Sequence, residues 1–195
     1  MAEQVKQVRQ VKKERKEKKK WVTIVSPKLF NNRGLGESYC YDTKSLVGRN
    51  INVSLMSVTD DPKKQSIEVS FKINDVKNDT LHTELIGYEI LPVHVRRMSK
   101  KAKMKVEDSF SCVCKDGVKV RIKPLIMTKD EVHNSVATSI RKAVHTFIAD
   151  YLKQNSFEDS FKGIVNNDLQ KNLKDVIKKV YPINSCMIRV FKRER

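Results

Sequence analysis

Apolar and polar positions alternate with a period of two through much of residues 21–127, then recur at helical spacing through most of the last third. "WVTIV", residues 21–25, is a run of β-formers that stops at Ser26-Pro27. Ile51, Val53 and Leu55 alternate in "GRNINVSLMSV", and Ile67, Val69, Phe71 and Ile73 in "SIEVSFKINDV". "TLHTELIGYEI" adds a third strand to that meander. "DSFSCVC" and "VKVRIKPLIM" flank "KDG", where Asp116-Gly117 supplies the positive φ of a tight turn, and so predict a hairpin. Between these runs, "NNRGLGES" reads as a turn-rich loop, "DDPKK" as a turn, and residues 92–105 as a short helix or loop. About six mostly antiparallel strands follow, for which a barrel or sandwich is the economical way to bury one face of each.

Beyond residue 127 the period lengthens. Thr128 and Glu131 have capping-box spacing ahead of a helix running to about Lys153. On it Val132, Val136, Ile140, Val144, Phe147, Ile148 and Tyr151 share one arc, with Leu152 at its edge and His133 falling on it. Lys142, His145 and Lys153 share the opposite arc, with Arg141 at the border. Ser156 and Asp159 start a second helix, and Asn167 and Gln170 a third, whose stripe is Leu169, Leu173, Val176, Ile177 and Val180. Tyr181-Pro182 stops it, and "INSCMIRVF" returns as a strand. The expected fold class is α+β, with a mostly antiparallel, barrel-like β core and a helical C-terminal third. Residues 1–20 form a basic arm and 21–195 a single domain: β-rich over 21–127, helical over 128–181, with a final strand and basic terminus over 182–195.

Charge changes this picture from a generic α+β domain to a binder of polyanions. The 195 residues carry 40 Lys and Arg against 23 Asp and Glu, a formal net charge of +17. Residues 1–20 alone hold nine basic and three acidic residues, net +6, with only Val5, Val8 and Val11 as sizeable apolar groups beyond Met1. Such a segment cannot build a core; it is either a solvated tail or an arm that orders along a polyanion, and the basic remainder of the chain favours the arm. Nucleic acid and an anionic membrane surface both fit the charge. No run of about 18 apolar residues exists, so no spanning segment is expected, nor a secretory signal. The four cysteines form no CxxC pair, as suits a reducing compartment.

Catalytic patterns are absent: there is no phosphate-binding GxxxxGK[ST], HExxH or GxSxG, and Gly34-Leu35-Gly36 is a lone GxG that opens no helix. Cys112 and Cys114 lie two apart on a strand and share a face, but without a second ligand pair in register they read as core thiols rather than a metal site. No cofactor is expected. What recurs instead is cations beside aromatics: Lys18, Lys19 and Lys20 before Trp21; Lys28 before Phe30, then Asn31, Asn32 and Arg33; and Arg189, Lys192 and Arg193 around Phe191. Stacking on rings with flanking cations is how proteins hold irregular RNA, although Trp21 opening a strand equally fits a core position. From Arg96 to Lys105 six cations stand without an acid, and Arg96, Arg97, Lys100 and Lys101 are expected to meet phosphates rather than read bases.

"KKKWVTIVSPKLFNNRGLGES", "GRNINVSL", "KDGVKVRIK", "SIRKA" and "VYPINSCMIRV" occur in an order that resembles the small-subunit ribosomal protein family shared by eukaryotes and archaea, called one-e or, in older usage, three-a-e. The resemblance covers residues 18 to about 192. It implies a barrel-like β core with helices, no enzyme activity, and a place on the small-subunit platform near the rRNA 3′ end and the mRNA exit. The implied partners are small-subunit rRNA, neighbouring platform proteins and initiation factors, in the cytoplasm. Lys18 to Trp21, Lys28, Asn31, Arg33, Arg141 and Lys142 fall in segments similar to the family's basic segments. Contacts that eukaryotic members make through a long C-terminal extension do not carry over. A ribosome-free RNA-binding module is the competing reading, and a nucleic-acid enzyme would need an acidic or His cluster that is not evident. Deleting residues 1–17 is expected to leave the thermal midpoint of the folded part nearly unchanged while weakening RNA binding and flattening its dependence on salt; an unaltered salt slope would rule out the arm.

Overall fold

The computed structural model describes residues 18–77, 80–99 and 104–194, so the arm's first 17 residues and Lys100 and Lys101 lie outside it. Among the described residues there are nine strands in one sheet: β1 (Lys20–Val25), β2 (Gly34–Cys40), β3 (Asn50–Ser54), β4 (Ile67–Lys77), β5 (Thr80–Ile90), β6 (Lys105–Glu107), β7 (Phe110–Val113), β8 (Lys119–Thr128) and β9 (Ile183–Arg193). The helices are α1 (Leu55–Thr59), α2 (Pro92–Ser99), α3 (Asn134–Gln154), α4 (Phe157–Val165) and α5 (Asp168–Lys178). The class is α+β, with the three longest-range helices following the β-rich part, as the change of period implies.

β3, β4 and β5 form the antiparallel meander, and β7 and β8 the hairpin about Gly117, whose φ is +73°. β5 then shares its other edge between two partners. β1 runs parallel to it at Thr80–His82, and β9 runs antiparallel at Gly87–Glu89. β8 divides its outer edge in the same way, β7 pairing with Lys119–Ile122 and β6 with Leu125–Met127. Pro124 sits in the gap between those two partners, where its missing N–H breaks no ladder on that side, and a register shift at Lys123/Pro124 absorbs it on the β9 side.

Four expectations change. "NNRGLGES" is not all loop: β2 begins at Gly34 and pairs with β1 from Lys20↔Cys40 to Val25↔Gly34. α3 starts at Asn134, not after Thr128, because Thr128 ends β8 fully buried and its Oγ donates to the carbonyls of Met104 (3.1 Å) and Asp130 (2.8 Å). His133 is therefore the exposed residue at the helix entry, not a member of the apolar arc. That arc is centred on Ala137, Ile140, Val144, Ile148 and Leu152, all buried, so Leu152 lies in its middle, with Val136, Phe147 and Tyr151 flanking. α4 is capped as its spacing predicts, Ser156 Oγ accepting from the Asp159 N–H at 3.2 Å.

The main core joins β4, β5, β8 and β9 to α1 and to one face each of α3, α4 and α5, with Phe71, Phe161 and Phe191 its largest buried side chains. A smaller core of Val22, Ile24, Cys40, Leu46, Ile73 and Leu81 lies beneath the β1–β2 hairpin. Among the described residues no helix is long and apolar enough to cross a membrane.

Two contacts hold β9 in place. At Gly87 a Cβ would stand 2.6 Å from the Phe191 carbonyl oxygen and 2.9 Å from Lys192 Cα, so only glycine lets the two backbones approach this closely. Gly87→Ala is expected to destabilise the fold by about 1–3 kcal/mol or more, measured as a lowered denaturant midpoint; an unchanged midpoint would mean that β5 and β9 can separate without cost. At the end of β9, Glu194 accepts hydrogen bonds from Ser111 Oγ (2.9 Å) and Arg121 Nε (2.6 Å) and pairs with Lys119 (3.2 Å), which together hold its carboxyl at about 2, below its ordinary 4.5. A depressed carboxylate stabilises the fold above its unfolded pKa and ceases to as pH falls through its folded one. Glu194→Gln is expected to lower the melting temperature at neutral pH, with the gap to the parent closing between about pH 4.5 and 2; a gap that persists at pH 2 would rule this out.

Candidate nucleic-acid interface

Period-two alternation sorts the β1–β2 hairpin into two faces. Val22, Ile24 and Cys40 point into the small core. Trp21 and Thr23 take the opposite parity on β1, and Glu37 and Tyr39 on β2, with Lys19 and Tyr41 next to the two strand ends. Trp21 is 66% exposed, Tyr39 51% and Tyr41 56%, so Trp21 is a surface residue and not a core one. The Trp21 and Tyr39 rings lie 4.8 Å apart at a tilt of 34°. Lys19 Nζ sits 5.3 Å from the centre of the Tyr39 ring and 5.0 Å from that of Tyr41, within cation–π range of both. Lys18 and Lys20 are exposed too, Lys20 on the parity of Val22 and opposite Cys40. Reasoning from cation-flanked aromatics found Trp21 and missed the two tyrosines, although "YCY", with Cys40 between them, carries the same alternation.

The segment after β1 divides differently. Lys28 and Asn31 are exposed, and Asn31 and Asn32 turn the chain at φ 58° and 51°. Phe30 is packed edge-on against Phe71 (5.7 Å) and Phe161 (5.9 Å), so no nucleobase has access to both its faces. Arg33 is exposed, but its guanidinium grips Asp60 through both Nη atoms, one at 2.8 Å, and lowers the Asp60 carboxyl's pKa. This fork ties the loop to the end of α1 and answers the arginine's charge within the molecule.

Arg96 and Arg97 are exposed in the last turn of α2. α2 begins two residues beyond the far end of β5, whereas Trp21 lies beyond its near end, because Thr23 pairs with Thr80. At roughly 3.3 Å per residue β5 runs about 33 Å, and the two groups stand beyond its opposite ends. Arg141 and Lys142 are exposed on α3, and His145, one turn beyond Arg141, packs against Phe110 of β7 at 4.6 Å. Lys192 lies on the outer face of β9, directly across from Arg121, with Lys123 two residues further along β8. Arg121 is itself answered by Glu194 at 2.6 Å, which leaves Lys192 as the exposed cation of this pair. Arg193 is engaged by Glu84. The β8 cations Lys119, Arg121 and Lys123 were legible as one parity of "KVRIK" but were not singled out. The expected residues thus form separate patches around the molecule rather than one cleft.

The cysteines do not change this reading. Cys112 and Cys114 share the side of β7 that packs against α3; burial raises both thiols, Cys114 to about 11. Burial likewise pushes Cys186 to about 12. Protonated thiols are poor metal ligands, and among the described residues no three His, Cys, Asp or Glu side chains are grouped to hold a metal ion.

Residues 7–194 match the sequence pattern of the Ribosomal S3Ae family. Small ribosomal subunit protein eS1 of Nanoarchaeum equitans is 33% identical over 171 residues, covering 88% of this chain and 86% of that protein. The protein of the same name from Saccharolobus islandicus is 30% identical over 169 residues, covering 87% and 81%. A match across nearly the whole described fold, from the basic segment before β1 to the end of β9, places this chain in the Ribosomal S3Ae family.

Proposed function

We propose that this chain is a structural, non-catalytic protein of the cytoplasmic small ribosomal subunit, which binds the subunit's rRNA through several outward-facing cation patches. The observation that carries the reading is the family match over residues 7–194. The patches support it: Lys18 to Trp21, Lys28 with Asn31, Arg96 with Arg97, Arg141 with Lys142, and Lys192 with Arg121 all stand on exposed positions. Cations spread over several sides suit a protein packed among RNA helices better than one closing on a single substrate. Arg33, Arg193 and Arg121 contribute less, their charges being answered by Asp60, Glu84 and Glu194. The finer placement is the small-subunit platform, near the rRNA 3′ end and the mRNA exit, beside platform proteins and within reach of initiation factors.

The test is sedimentation of the native protein. It is expected to co-migrate stoichiometrically with small subunits, and a dominant ribosome-free pool would favour an independent RNA-binding module instead. Reversing charge at Arg96 and Arg97, or replacing Arg141 and Lys142 by Ala, is expected to lower incorporation while leaving melting curves nearly unchanged. Incorporation at the parent level would return those residues to a merely solvated surface.

A further inference from the structure

We infer that the outer face of the β1–β2 hairpin is a stacking platform for unpaired nucleobases, with Trp21, Tyr39 and Tyr41 as its rings and Lys19 as the cation between them. This deepens the proposed rRNA-binding role and rests on it.

Three contiguous exposed rings are a feature that a monomer gains nothing from, since each leaves apolar surface in water that burial would stabilise. They are not there for the local core, because the alternate residues Val22, Ile24 and Cys40 already fill it. Of the residues around the rings on the outer face, Lys19, Thr23 and Glu37, none is aliphatic; Val25, next on that parity, is half-buried where the β1–β2 register shifts. Insertion into a lipid surface or docking of an apolar protein helix normally uses Leu, Ile or Phe beside the amphipathic rings. Duplex RNA would need only the cations, because it offers phosphates and grooves and keeps its base faces stacked inside. Rings match the exposed π-faces of unpaired bases, and stacking of this kind tolerates any base.

The charges complete the match. Among the described residues none of Lys18, Lys19 and Lys20 pairs with a carboxylate, and Lys19 Nζ lies within about 5 Å of both tyrosine rings. A phosphate joining two bases stacked on those rings would meet that ammonium.

The chain's single Trp is itself part of the platform, so its emission reports occupancy in the full-length protein. Titration with an oligouridine of about ten nucleotides is expected to quench it. Tyr39→Ala with Tyr41→Ala should weaken that binding about tenfold or more, while affinity for an RNA duplex of about 16 base pairs changes little. Tyr39→Phe with Tyr41→Phe should retain the single-strand affinity, because stacking needs the ring and not the hydroxyl. The platform is overturned if the alanine variant binds the oligouridine like the parent, if it loses duplex and single-strand affinity equally, if the oligouridine leaves Trp21 unquenched, or if anionic phosphatidylserine vesicles quench in its place. Parent protein that co-sediments with small subunits while any of these outcomes holds leaves the ribosomal reading standing and removes the platform alone; parent protein that does not co-sediment removes the ribosomal reading itself.

Discussion

The pairing of Gly87–Glu89 with Val190–Lys192 is the join on which the rest of the sheet depends. On one side stand the β3–β4–β5 meander and the β1–β2 hairpin; on the other, β8–β9 with β6 and β7. Three residue pairs connect these halves, and within them Gly87 allows an approach that any side chain would block. The join is short in hydrogen bonds and is reinforced by what it buries. Phe191 packs against Phe157 at 5.3 Å, and Tyr88 against Phe161 at 6.4 Å, so α4 covers the seam from one side. The buried Tyr88 ring accordingly has its phenol pKa raised by desolvation. The outer faces of both halves, with their exposed cations, then sit at fixed relative positions.

The excess of charge does not act uniformly. Some cations are committed within the fold: Arg33 to Asp60, Arg193 to Glu84, Arg121 and Lys119 to Glu194. Exposed pairs of this sort contribute little stability one by one, but each fixes the end of an element. Others, such as Lys18 to Lys20, Arg141 and Lys142, have no such partner among the described residues, and it is these that a polyanion would find unscreened. Net charge alone does not distinguish the two groups.

Much of the fold was legible because local period and burial agree. The β4 and β5 alternation, the Asp116-Gly117 turn and the Ser156 cap each depend on neighbours within a few residues. What was illegible depends on distant partners. β2 contains Gly34 and Gly36, poor strand formers, and is a strand because β1 lies beside it. The parallel pairing of β1 with β5 joins residues nearly sixty positions apart, and no short-range pattern encodes it. The Thr128–Glu131 spacing misled because the threonine hydroxyl was already used at the end of β8. Trp21 was ambiguous for another reason: "WVTIV" is apolar on both parities, and only the core beneath the hairpin decides that Val22 and Ile24 face inward. Burial alone likewise could not show that Arg33 is paired and Lys28 is not.

The join between β5 and β9 also orders events in time. β9 is the last of the nine strands to leave the ribosome that makes this chain, about a hundred residues after the edge of β5 that receives it. Until then that edge of β5 beyond β1 has no strand to pair with, and Phe191 is missing from the core. Nascent chains in this interval have a meander and a hairpin but no closed interior, a situation in which open strand edges invite misassociation. Because contacts so distant in sequence form slowly, β9 is expected to dock after the meander and the hairpin have formed. The steep positive charge is then useful before any RNA is bound, since mutual repulsion keeps such half-finished copies apart.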